Sequence, residues 1–136
     1  MEMAARSTKI TPFLMFNETQ AEQAMQFYVS VFPARSKVLS VTRYGEGHGA
    51  DKVKQGRLLL CDQELILMDS LIKHGFTFTP SISMFVECVT EAEIDDLFAQ
   101  LSAGGSILMP LEKYPFAAKF AWISDKYSIS WQLILS

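Results

Sequence analysis

Histidine is scarce in this chain: 136 residues contain two, His48 and His74. Cysteine is as rare, with only Cys61 and Cys88. Two histidines in separate polar loops and two cysteines inside apolar stretches offer no metal-ligand spacing and no Cys–His motif for nucleophilic chemistry. The histidines read as solvated surface residues, and the cysteines as buried free thiols of a reducing compartment. Positive charge is thin too. Lys and Arg number 12 against 15 Asp and Glu, giving a net charge of -3, and the basic residues are scattered. No basic stripe exists to track a phosphate backbone, so no nucleic-acid partner is expected. No apolar run approaches the roughly 18 residues that a spanning helix needs, so no membrane association is expected. Met1 to Lys9 has no apolar segment of the export-signal kind, which places the expected location in the cytoplasm.

What the chain does have is apolar mass and an internal repeat. With 49% apolar and 12% aromatic residues, it can bury a core without disulfides. Its length fits one domain, 1–136, read as module one (9–69), a connector (70–80) and module two (81–136). Lys9 to Phe16 reads as a strand. Thr19 followed by Glu22 has the capping-box form, and Ala21, Ala24, Met25, Tyr28, Val31 and Phe32 recur at helical spacing until Pro33 stops them. Strands follow over Lys37 to Tyr44, Val53 to Cys61 and Glu64 to Asp69, with a hairpin turn expected at Asp62-Gln63. The pattern then restarts. Ser81 to Cys88 is a strand, Thr90 and Glu93 form a second capping box, and Ile94, Leu97, Phe98 and Leu101 make a second helical stripe ended by Gly104-Gly105. Ser106 to Met109, Ala117 to Ile123 and Ile129 to Leu135 complete the second set of strands. Thr19 and Thr90, like Glu22 and Glu93, are offset by 71 residues. The expected class is α+β, two βαβββ modules from one duplicated unit.

The segment Ile10-Thr11-Pro12-Phe13-Leu14-Met15-Phe16-Asn17, then Ala21-Glu22-Gln23-Ala24 and Phe27-Tyr28-Val29-Ser30-Val31-Phe32-Pro33, resembles the opening of the PhnB-like family. That family is also labelled 3-demethylubiquinone 3-methyltransferase-like, and belongs to the vicinal oxygen chelate (glyoxalase/bleomycin resistance) superfamily. The run from Trp122 to Gln132 is equally typical of its end. The resemblance covers nearly the whole chain. It implies a glyoxalase-like half-open eight-stranded barrel with two outer helices, and a homodimer. The residues do not support the methyltransferase label. Gly45, Gly47 and Gly49 are followed by charged residues rather than by a helix opening, so they read as a loop and not as a nucleotide-like cofactor cradle.

The resemblance also locates where superfamily enzymes hold a divalent metal through His and Glu. The matching positions here are Ile10, Ser81 and Gln132, with the fourth-strand position falling on Glu64, or on Met68 or its neighbour Asp69. Ile cannot ligate, and Ser and Gln are weak ligands, so no metal and no other cofactor is expected. Alternation along the strands then predicts an apolar hollow with a few polar groups. If Gln132 points inward, Ser130 and Ile134 join it, while Trp131 and Leu133 pack toward the helix. Ser81, Ser83, Phe85 and Glu87 form a second inward row, and Ile10, Pro12, Leu14 and Phe16 a third. The candidate ligand-binding residues are thus Gln132, Glu87, Ser81, Ser83, Phe85 and Phe16, with Asp69 and Glu64 as fourth-strand alternatives. Trp122 and Trp131 read first as core aromatics, and Tyr114-Pro115-Phe116 as the lining of a mouth or a dimer face. The favoured reading is a metal-free module that binds a small apolar or aromatic molecule. The alternative is an enzyme of the vicinal oxygen chelate type with a non-standard metal or carboxylate site.

Overall fold

The computed structural model describes residues 7–47 and 49–136. The chain divides into two compact units, Met1–Lys73 and His74–Ser136. Each is a βαβββ unit, as the repeat predicts. Unit one contains β1 (Phe13–Phe16), α1 (Ala21–Val31), β2 (Lys37–Arg43), β3 (Val53–Leu60) and β4 (Gln63–Asp69). Unit two contains β5 (Ser83–Cys88), α2 (Glu91–Ser102), β6 (Ser106–Tyr114), β7 (Ala117–Ser124) and β8 (Ser130–Leu135). The sheets have orders β1-β4-β3-β2 and β5-β8-β7-β6. In both, the last strand returns beside the first and runs parallel to it, while the other pairs are antiparallel. No described helix is long and apolar enough to cross a membrane.

Both helices form where apolar residues recur every three or four positions. Ala21, Ala24, Met25, Tyr28 and Val31 are buried on α1; Ile94, Leu97 and Leu101 are buried on α2. Each stripe meets a sheet face of buried alternating residues: Leu58, Leu65 and Leu67 in unit one, and Ala121, Ile123, Trp131 and Leu133 in unit two. Fully burying one such side chain contributes about 1.5–3 kcal/mol, so a slip of one residue in either register would forfeit a large share of a core.

The helix starts differ. At α2 the predicted capping box forms: Thr90 Oγ1 accepts from the Glu93 N–H at 3.1 Å, and the Glu93 carboxylate accepts from the Val89 N–H at 2.8 Å. At α1 it does not. The cap position is Gln20, with no bond from its own side chain. Lys52 Nζ donates to Thr19 Oγ1 at 2.7 Å, and Arg43 holds the Glu22 carboxylate at 2.8 and 2.9 Å. The free N–H groups go instead to Asp69 at the end of β4.

Several boundaries move by a residue or two. The β3–β4 turn is centred on Cys61-Asp62, both at positive φ (49° and 68°), one residue earlier than the turn expected at Asp62-Gln63. The pairing of Leu60 with Gln63 closes the hairpin there, because it keeps Leu58 and Leu60 in phase with Leu65 and Leu67. Cys61 is therefore exposed and not a core thiol, whereas Cys88 is buried. Desolvation, with Glu93 nearby, pushes the Cys88 thiol up to about 11. β6 runs on to Tyr114, through three register shifts, beyond the end expected at Met109. At the end of α2, Gly104 adopts φ +76°, and a side chain on Gly105 would meet the Ser124 carbonyl oxygen at 2.0 Å. Glycine is required at both positions.

Candidate functional site

In unit two, the sheet face turned away from α2 gathers the polar residues that alternation had grouped. Ser83 lies opposite Ser130, Phe85 opposite Gln132 and Glu87 opposite Ile134, in parallel register between β5 and β8. Trp122 of β7 lies opposite Gln132 on the other side of β8. Partners in register share a face, so Phe85, Gln132 and Trp122 form one row across three strands, with Ser83, Ser130 and Ser124 in the row beside it.

This face is hydrogen-bonded through side chains. Ser83 Oγ and Ser130 Oγ are 2.6 Å apart, the Trp122 indole N–H donates to Ser130 Oγ at 2.9 Å, and Gln132 Nε2 donates to Ser83 Oγ at 3.4 Å. Ser130 is only 1% exposed, Gln132 is half-buried and Phe85 is 57% exposed. A neutral polar cluster thus lies beside an uncovered aromatic ring, the usual composition of a small-molecule contact. Farther along, Phe120 is covered by the stacked Tyr114 and Phe116 rings, whose centroids are 5.5 Å apart. The Tyr114 hydroxyl donates to the Pro110 carbonyl at 2.8 Å, and desolvation, with Glu112 nearby, raises its phenol above the ordinary range.

The other candidates fall elsewhere. Ser81 lies before β5, is exposed, and bonds Thr79 Oγ1 at 2.6 Å. Glu87 is exposed at the far end of β5, on the face of Gln132 but outside the hydrogen-bonded cluster. In unit one the predicted parity of the first strand is reversed. β1 begins at Phe13, so Ile10, 88% exposed, lies outside the strand, and counting every second residue from it sends Phe16 the wrong way. Phe16 is 1% exposed and lies opposite Asp69, on the face of the buried Leu67. Phe13 and Met15 take the face away from α1.

The fourth strand separates its alternatives by the same parity. Glu64 and Met68 face away from α1; Asp69 faces it and is 1% exposed. The Asp69 carboxylate accepts from the Gln20, Ala21 and Val53 N–H groups, each at 2.9 Å. It is committed to the backbone. Glu64 is paired with Lys9 at 2.6 Å and with Arg57, and these hydrogen bonds, that of Lys9 foremost, hold its carboxyl below the usual range.

The positions matched to a superfamily metal are therefore an exposed Ile10, an off-strand Ser81, a neutral Gln132 engaged with Ser83 and, on the fourth strand, a Glu64 paired with two cations, a Met68, or an Asp69 committed to the backbone. This donor set does not fit a divalent metal. Among the described residues, no three His, Cys, Asp or Glu side chains converge. His48 lies outside the described residues; His74 stacks on Phe76 with centroids 4.9 Å apart. The glycines at 45, 47 and 49 join the antiparallel strands β2 and β3 and open no helix.

The sequence profile of the 3-demethylubiquinone-9 3-methyltransferases matches residues 8–134. The chain belongs to this family. A solved PhnB protein of Bacillus cereus that bears the same methyltransferase name is 48% identical, with a TM-score of 0.90 over 95% of this chain and 100% of that one. A Pseudomonas aeruginosa protein is 23% identical, with a TM-score of 0.80 over 96% of this chain and 98% of that one. The fosfomycin resistance protein FosX of Listeria monocytogenes shares the fold at 10% identity, with a TM-score of 0.66 over 96% and 94% of the two chains. No curated protein matched. The PhnB-like membership expected from Ile10–Asn17, Ala21–Ala24, Phe27–Pro33 and Trp122–Gln132 is thus established, and with it the vicinal oxygen chelate fold.

Two members of the site were missed in the sequence. Trp122 was read as core, yet it is half-buried and crosses to Ser130. Ser130 was placed inward by alternation but not ranked among the ligand contacts. The β7–β8 turn hid both: Asp125 accepts from the Tyr127 and Ile129 N–H groups and from the Trp131 indole, and Ser128 sits at φ 71°. Without that turn geometry, the pairing of Trp122 with Gln132 cannot be counted out.

Proposed function

We propose that this PhnB-like chain is a metal-free binding module for a small apolar or aromatic molecule, and that the α2-distal face of its second sheet contacts the ligand. The observation that carries this reading is the Ser83–Ser130–Gln132–Trp122 cluster next to the exposed Phe85 ring. Phe85 and Trp122 offer apolar area, and Gln132 and Ser83 offer orientation. Ser83, Gln132, Phe85 and Glu87 are the contacts carried forward; Ser81, Phe16, Asp69 and Glu64 are not. The competing reading, a vicinal oxygen chelate-type enzyme, is supported by carboxylates on the same face, Glu87 opposite Ile134 and Glu112 opposite Phe120.

The test is a thermal-shift screen of neutral aromatic compounds against the natively purified chain, paired with elemental analysis. Stabilisation that saturates with ligand and is lost in Phe85→Ala and Gln132→Ala supports the proposal. Zinc, nickel, manganese or iron near one per chain, with stabilisation by that same ion, would replace it with the enzyme reading. Compounds that bind equally well to both variants would remove this face from the account.

A further inference from the structure

The hydrogen-bond arithmetic of the same cluster specifies which kind of molecule fits it; this rests on the binding reading above. An indole N–H can only donate, so Ser130 Oγ accepts from Trp122. Ser130 is nearly fully buried, and a buried hydroxyl hydrogen needs an acceptor. Ser83 Oγ lies 2.6 Å away, and although either hydroxyl can donate in this pair, Ser130 as donor satisfies its buried hydrogen. Ser83 Oγ also accepts from Gln132 Nε2. A hydroxyl oxygen has two acceptor positions, and on Ser83 both are then filled. What remains on the half-buried Ser83 is its own hydrogen. Gln132 retains a second N–H beside it. The cluster therefore presents surplus donors to a ligand in the row that Phe85 and Trp122 share with Gln132. Glu87 stands on the same face, one register pair beyond Phe85, and disfavours a negative charge there.

We infer that the ligand is a neutral, flat aromatic compound carrying a hydrogen-bond acceptor such as a carbonyl oxygen, received by the Ser83 hydroxyl, and that hydrocarbons and carboxylates of the same shape are discriminated against. A wrong choice leaves the Ser83 hydrogen without a partner inside the contact.

Acetophenone, ethylbenzene and benzoate are suitable probes. Each is titrated into the isotope-labelled chain, following the Trp122 indole N–H and the Gln132 side-chain amide by NMR. Acetophenone is expected to bind about threefold to tenfold more tightly than ethylbenzene, and benzoate more weakly than acetophenone. Ser83→Ala should bring the ratio of acetophenone to ethylbenzene affinity down to about one, whatever it does to either affinity alone, and Ser83→Thr, which keeps the hydroxyl, should restore the ratio. Circular dichroism melting of both variants separates this from misfolding. If acetophenone and ethylbenzene bind equally and both shift the Trp122 signal, the donor assignment is overturned while the binding face stands. If no probe perturbs either resonance, the face and the inference fall together. Preference that survives in Ser83→Ala also overturns the assignment.

Discussion

In unit one, the first N–H groups of the helix are held by a carboxylate 48 residues from Ala21 in sequence, Asp69; in unit two, the Glu93 N–H is held by Thr90, three residues before it. The two units have the same order of elements and the same strand order, so this difference is not imposed by topology. It follows from what the neighbouring side chains do. In unit one, Lys52 and Arg43 occupy Thr19 and Glu22, the pair that would have formed the local cap, and β4 delivers Asp69 to the vacated role. In unit two, no cation among the described residues pairs with Thr90 or Glu93, and the local box closes. The outward faces diverge as well. Unit one sets an ion-paired group, Lys9, Arg57 and Glu64, beside the apolar Phe13, Met15, Ile66 and Met68; unit two sets neutral hydrogen bonds around Ser83 and Ser130. In unit one the polar groups of the face are paired with one another, whereas in unit two they include donors left over for a ligand.

That contrast can be broken experimentally. The largest effect is expected at Asp69→Ala, which strips three backbone N–H groups of their buried partner and unties α1 from both β3 and β4. Chemical denaturation should show a loss of about 3–4 kcal/mol. Thr90→Ala removes one local cap bond and should cost about 1 kcal/mol; equal costs for the two would mean that the remote carboxylate adds nothing to a local cap. The smallest effect is at Glu64, as exposed ion pairs contribute little. Its hydrogen bonds from Lys9 and Arg57 hold its carboxyl below the ordinary glutamate value in the folded chain, so its contribution to stability is present above that value and fades as pH falls through the folded pKa. Glu64→Gln should flatten the stability–pH curve below about pH 4.5 while leaving it unchanged near neutrality, and an unchanged acid limb would show that Lys9 and Arg57 do not favour the ionised form.

Much of the architecture was legible because it rests on local periodicity. Ala21, Ala24, Met25, Tyr28 and Val31 announce α1 by spacing alone, and the 71-residue offset of Thr90 and Glu93 from Thr19 and Glu22 announces the duplication. Alternation from Ser81 grouped Ser83, Phe85 and Glu87, and alternation from Gln132 grouped Ser130 and Ile134, on one face because β5 and β8 are regular. It failed on β1, where a count from Ile10 crossed the start of the strand and inverted Phe16. It also left Asp69 undecided, since parity on β4 depends on where the turn falls, and that turn lies at Cys61-Asp62.

The sequence by itself determined the class, the repeat, both helical stripes and the family, because each is carried by neighbours along the chain. Only the tertiary structure decided that Asp69 caps a helix rather than meeting a ligand, that Glu64 is neutralised by Lys9 and Arg57, and that Trp122 reaches Ser130. Those outcomes depend on which strands lie side by side and in what register. A carboxylate or an indole takes its role from the donors and acceptors that distant segments bring within about 3 Å, and composition carries no trace of that distance.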